Sequence, residues 1–111
     1  MKLIDIIGTT SAVSPRTAQK AYDCIAVMLE QSNKIVLSFE GVTDCTSAFC
    51  NSFIGRIYMK FDPSQVDSLF EITDINEKEV WYKKISNAKL LGINENVRAL
   101  RKTNLEHLIL S

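Results

Sequence analysis

Apolar residues recur at three- and four-residue steps through Ala18, Ala21, Tyr22, Ile25, Met28 and Leu29. That spacing marks one stripe of an amphipathic helix. Ser14-Pro15 opens it, since a serine oxygen accepts from unpaired amides and proline at the first helical position sacrifices no hydrogen bond. Ser32-Asn33 closes it after about Gln31. A second stripe runs through Phe49, Phe53, Ile57 and Phe61, widened by Ile54 and Tyr58. Asp44 or Thr46 is placed to cap this helix, and Asp62-Pro63 stops it. A third carries Trp81, Ile85, Ala88 and Leu91 inward, opened by Asn76 with Glu79 three residues on and ended at Gly92. Asn94 or Asn96 begins a final helix through Val97 and Leu100, while His107 to Leu110 reads equally as helix, edge strand or tail.

Between these stripes lie short β-branched runs. Leu3 to Ile7 predicts a strand ended by Gly8-Thr9-Thr10-Ser11. Ile35 to Phe39 predicts a central strand buried on both faces, and Leu69 to Ile72 another. Strands alternating with helices predict an α/β fold: a mainly parallel or mixed sheet of three or four strands, with amphipathic helices packed mostly on one side. The 111 residues are enough for one core, so residues 1–111 are read as a single domain.

Composition narrows the function classes. Thirteen basic residues balance thirteen acidic ones, so no global positive field draws the chain to nucleic acid or an anionic membrane. Charges interrupt every apolar run before bilayer length, and the amino-terminal run is too short for a secretory signal. The expected location is the cytoplasm. Cys24, Cys45 and Cys50 lack C-x-x-C spacing and share the chain with one histidine, His107, so neither a metal site nor disulfides are expected. No cofactor is expected either, because Gly8, Gly41, Gly55 and Gly92 match no phosphate-binding loop.

Chemistry in open α/β sheets gathers where strands pass into helix amino termini. Here that directs attention to the junction Glu40-Gly41-Val42-Thr43-Asp44-Cys45-Thr46-Ser47-Ala48-Phe49, with two adjacent hydroxyls. A phosphate on either would be tolerated by the unpaired amides and the dipole, and simple capping is the alternative role.

The order of these features, an apolar strand, Gly41-Val42, a polar link, then hydroxyls opening an apolar helix with internal Gly55, resembles the STAS superfamily of sulfate-transporter and anti-sigma-factor-antagonist domains. It is most similar to the family described as STAS-like domain of unknown function. Ser14-Pro15-Arg16 with Ala18 looks like that family's first helix opening, and Ser47-Ala48-Phe49 like its Ser-x-Phe helix start. The resemblance covers residues 1 to about 75. It implies a bacterial regulatory module that docks onto a protein, typically a serine kinase of the histidine-kinase-like ATPase type, and is switched by phosphorylation at the junction. By that comparison Ser47 is the nearest phosphorylation candidate and Thr46 the next, with Asp44, Cys45, Thr46, Ser47 and Phe49 forming the partner-binding segment. The antagonists' Asp-Ser-Ser-Gly or Asp-Ser-Thr-Gly is replaced here by Thr46-Ser47-Ala48-Phe49, and Ala48 can fall at the modified position itself.

Two rival readings use other residues. A cysteine-dependent enzyme would take Cys45 as nucleophile and His107 as base, yet no acidic partner is placed by spacing, so no catalytic residue is assigned. A nucleic-acid-associated protein would use Lys83, Lys84, Lys89, Arg98, Arg101 and Lys102, which face only Glu95 between residues 83 and 102. Without interleaved aromatic readers, the same charge polarity suits docking onto a protein. Of Trp81 and Tyr82, one should face outward.

Overall fold

The computed structural model describes residues 1–76 and 78–110, with side chains for 1–76 and 79–99. The segment read as a first strand is instead a short helix, α1 (Leu3–Ile7). Its two buried residues, Leu3 and Ile7, sit four apart, so a helix puts both on the core where a strand would also have turned Asp5 inward. Gly8 ends α1 in the left-handed region at φ 74°, its amide donating to the Ile4 carbonyl, a conformation that suits glycine. A two-residue strand, β1 (Ser11–Ala12), follows.

Helix α2 (Pro15–Glu30) starts as its sequence dictates. Ser14 Oγ accepts from the Thr17 amide and the Ser14 amide donates to Thr17 Oγ1, a reciprocal cap at 3.1 and 3.3 Å. Ala18, Ala21, Ile25 and Leu29 form its buried stripe. Strand β2 (Ile35–Ser38) buries Ile35 and Leu37, but Val36 remains 43% exposed. The run is therefore covered on one face and not on both, because the helices lie against the Ile35 and Leu37 side alone.

After β3 (Asp44–Cys45), the chain forms one unbroken helical rod over 47–60. It consists of α3 (Ser47–Cys50), a π-helical turn (Asn51–Gly55) and α4 (Arg56–Lys60). Asp62-Pro63 ends that rod and also starts α5 (Pro63–Leu69), which sequence periodicity did not separate from a loop. Asp62 Oδ2 accepts from the Gln65 amide at 3.3 Å. Strand β4 (Phe70–Thr73) then leads toward α6 (Lys78–Leu110).

Helix α6 is a single element of 33 residues, so the expected break at Gly92 and a separate final helix are both absent from the described backbone. Gly92 is buried, and a methyl group there would collide with the Gly55 carbonyl oxygen. The glycine permits two helices to touch; it does not end one. Leu91, expected inward, is consequently 53% exposed, while Trp81 and Ala88 are buried and Ile85 half-buried. The capping arrangement expected at Asn76 depends on residue 77, outside the described residues.

The sheet content is divided. β1 pairs with β3 and β2 with β4, giving two parallel two-stranded sheets in place of one larger sheet. Lys2 bridges Ser38 on the other side of β2. Phe39, Phe49, Phe53, Ile25, Leu37 and Ile57 fill the shared core, and tilted ring pairs join Phe49 to Phe53 and Phe53 to Phe70 at 5.7 and 6.3 Å. The fold is α/β with helices dominating.

Candidate functional site at the β3 to α3 junction

The junction is held open at its polar side and shut at its apolar side. The register Ser11 to Asp44 and Ala12 to Cys45 sets alternation in β3, so Asp44 faces solvent and Cys45 the core. Ser11 Oγ donates to Asp44 Oδ2 at 3.1 Å, and Thr43 Oγ1 lies 3.2 Å from the same oxygen. These hydroxyls fix the carboxylate beside the helix mouth. The Thr46 amide donates to the Ala12 carbonyl at 3.2 Å, anchoring the last residue before the helix.

Thr46 is the cap. Its Oγ1 accepts from the Phe49 amide at 3.1 Å and the residue is half-buried. Ser47, at the first helical position, is exposed, as is Ala48. Phe49 turns back into the core, 1% exposed. Of the five residues in the expected partner-binding segment, Asp44 and Ser47 thus present side chains to solvent, Thr46 does so in part, and Cys45 and Phe49 support them from within.

Helix α6 completes the site, and the sequence had presented its contribution only as a basic run. Lys84 Nζ donates to the Cys45 carbonyl at 2.9 Å, which satisfies an oxygen left free between β3 and α3. Lys83 and Lys84 line, with Ser47, Glu79, Val80 and Asn87, an open depression of roughly 400 Å³. Cys45 and Cys50 are both buried, with their sulfurs 3.4 Å apart. The hydrogen bond with the Cys50 thiol lowers the Cys45 pKa from its ordinary value; burial opposes this and the Lys84 charge assists it. Cys50 is correspondingly pushed up, first by that hydrogen bond and then by burial. The missed signal was the five-residue spacing across a helix cap, the separation at which side chains flanking a helix start meet.

A family model described as STAS-like domain of unknown function matches residues 17–79, more than half of the chain. The chain belongs to that family. No curated protein and no solved structure matches it. The matched span of this STAS-like domain includes α2 from Thr17 on, both paired strands of the larger sheet and the whole junction, and it ends as α6 begins. The two lysines that flank Ser47 therefore lie beyond the matched residues.

Elsewhere in the STAS-like domain the basic residues of α6 are committed to local partners. Lys89 pairs with Asp67 at 2.9 Å and Arg98 with Glu95 at 3.1 Å. The side chains of Arg101, Lys102 and His107 lie outside the described residues. Tyr82 is 55% exposed beside buried Trp81. Among the described residues, no helix is long and apolar enough to cross a membrane.

Proposed function

We propose that this STAS-like domain is a cytoplasmic, non-enzymatic regulatory module that docks onto a partner protein through Asp44, Thr46 and Ser47 with the adjoining start of α6. The proposal includes switching by phosphorylation of Ser47. The observation that carries it is the exposed Ser47 hydroxyl at the first position of a helical rod, bordered by Lys83 and Lys84 and by a fixed Asp44 carboxylate.

A kinase of the histidine-kinase-like ATPase type would transfer the γ-phosphoryl of ATP to Ser47 Oγ, releasing ADP and the hydroxyl proton. The product would set a charge of about −2 at a helix amino terminus beside two ammonium groups. It would also stand close to Asp44, so a partner attracted to the lysines would be met by a different surface. Thr46 is the weaker acceptor, because its oxygen already caps the helix. Cofactors have no role in this reading.

The enzyme alternative is disfavoured by the burial of Cys45, 4% exposed, which leaves a substrate carbonyl little access to the sulfur. The nucleic-acid alternative is disfavoured because Lys84, Lys89 and Arg98 already have protein partners.

The test is affinity capture with the wild-type chain, Ser47→Ala and Ser47→Glu as baits, then intact-mass analysis after adding ATP. The reading expects a histidine-kinase-like ATPase retained by the wild type and Ser47→Ala, weakened at least about tenfold by Ser47→Glu, and one phosphoryl group added at Ser47 of the wild type. Identical capture by all three baits, or a salt-sensitive yield of nucleic acid alone, would overturn it.

A further inference from the structure

The thiols beneath the junction carry a second inference, independent of what docks above them. Thr46 is the cap of the rod, so Cys45 immediately precedes the cap and Cys50 is the fourth helical residue. These are the positions at which two apolar side chains ordinarily clasp across a helix start. Here both places hold free cysteines, both buried, with sulfurs in contact at 3.4 Å. A disulfide requires about 2 Å between sulfurs, so the two must draw closer for the bond to form. The third cysteine, Cys24, is on α2.

The surroundings distinguish the two sulfurs. Cys45 is the less enclosed, at 4% against 0% for Cys50. It also stands at the amide-rich end of the rod, and the Lys84 ammonium lies 2.9 Å from its carbonyl oxygen. Both features favour a negative charge on Cys45, in agreement with its lowered pKa. The contact with Cys45 and burial push the Cys50 thiol up, so Cys50 is the one that holds its proton. The Asn51–Gly55 π turn begins immediately after Cys50, so the backbone on that side departs from regular α geometry where a sulfur would have to shift.

We propose that Cys45 and Cys50 form a dithiol site that hydrogen peroxide, small enough to reach a sulfur closed to a larger substrate, converts reversibly into an intramolecular disulfide. The Cys45 thiolate attacks a peroxide oxygen; an S–O bond forms, the O–O bond breaks, and the departing oxygen takes a proton to leave as water. Cys50 then attacks the resulting sulfenic acid; the S–S bond forms, the S–O bond breaks, and the oxygen leaves as water with the Cys50 proton. Two thiols are oxidised and one molecule of hydrogen peroxide is reduced. The bond would tie β3 to the first turn of the rod and fix the segment that displays Thr46 and Ser47. In a reducing cell the resting form is the dithiol.

The test uses the full reduced chain, freed of reductant and titrated with hydrogen peroxide. Cys45 and Cys50 fall in one tryptic peptide, residues 35–56, so the expected product is that peptide lighter by two hydrogen atoms, restored by dithiothreitol, with Cys24 still open to alkylation after denaturation. Cys24→Ser should behave as wild type. Cys50→Ser should stop at a Cys45 sulfenic acid trapped by dimedone. Oxidation of Cys24 before the pair, links between chains, or sulfinic acid at Cys45 with Cys50 free would each overturn the proposal. Should Cys50→Ser fail to fold, the wild-type peptide mass decides alone. None of these readings depends on a docking partner.

Discussion

The rod over 47–60 meets α6 at both of its ends, and the two meetings differ in what they leave free. Near the far end, Tyr58 Oη donates to Asp67 Oδ1 at 2.6 Å and Lys89 Nζ binds the same oxygen at 2.9 Å. The three side chains of that triad converge on one carboxylate oxygen. At the near end Lys84 is likewise committed, to the Cys45 carbonyl, and Thr46 to its cap. There Ser47 and Lys83 remain beside an open depression. A charged cluster whose members satisfy one another stabilises a helix contact; a cluster with an exposed hydroxyl and a spare cation can also act on something else.

The strongest way to break this comparison is to separate α6 from the rod altogether. Gly92→Val should push α6 off the Gly55 carbonyl and cost about 3 kcal/mol or more, read as an earlier midpoint in urea unfolding. Both ends should loosen together, because both depend on the one helix.

Next come changes confined to one end. Thr46→Ala removes the cap and should cost about 1 kcal/mol; Thr46→Ser should restore most of it. Tyr58→Phe should cost a similar ~1 kcal/mol at neutral pH, with no effect on capture at the junction.

The far end also predicts a pH dependence. Burial, then the hydrogen bond to Asp67 and its charge, raise the Tyr58 pKa above the ordinary tyrosine value of about 10. A raised folded-state pKa means that the contribution is complete below about 10 and is lost as the pH climbs toward the folded value. For Asp67, burial acts upward but is outweighed by the hydrogen bonds from Tyr58 and Lys89, so its pKa is lowered. That contribution is present above the ordinary aspartate range and disappears as pH falls through the lowered value. Chemical denaturation across pH should therefore show an alkaline loss that Tyr58→Phe reduces.

The smallest expected stability change is the most informative about function. Ser47→Ala should shift unfolding by less than about 0.5 kcal/mol, because no fold contact depends on its hydroxyl. A larger loss would make the near end structural like the far one and erase the contrast.

Much of the larger architecture was legible because it rests on local rules. Ser14, Pro15 and the stripe through Leu29 define α2 by capping and periodicity alone, and of the two caps the sequence offered for the next helix, Asp44 and Thr46, the structure uses Thr46. The errors share a cause: each required knowing what packs where. Leu3 to Ile7 has the composition of a strand, yet the core takes only Leu3 and Ile7. Gly92 has the signature of a helix end, but its lack of a side chain serves a contact with Gly55, distant in sequence. Val36 belongs to an apolar run whose second face has no cover. At the junction, exposure of Ser47 followed from cap logic, whereas the neighbouring lysines emerged only when α6 was laid across the helix start, and the thiol pair only when the cap at Thr46 set Cys45 against Cys50.

The π turn at Asn51–Gly55 has a geometric consequence for the whole rod. Phe49, Phe53 and Ile57 are spaced by fours, and at 3.6 residues per turn each step of four overshoots by about 40°. In an unbroken α-helix the three side chains would spread over about 80° of the circumference, most of the width of an apolar stripe. A wider turn advances less per residue, so it takes up part of that overshoot and returns Ile57 to the line begun by Phe49, both almost wholly enclosed. The same unwinding fixes the azimuth of Ser47 relative to Tyr58, and thereby decides which side of the protein the hydroxyl confronts.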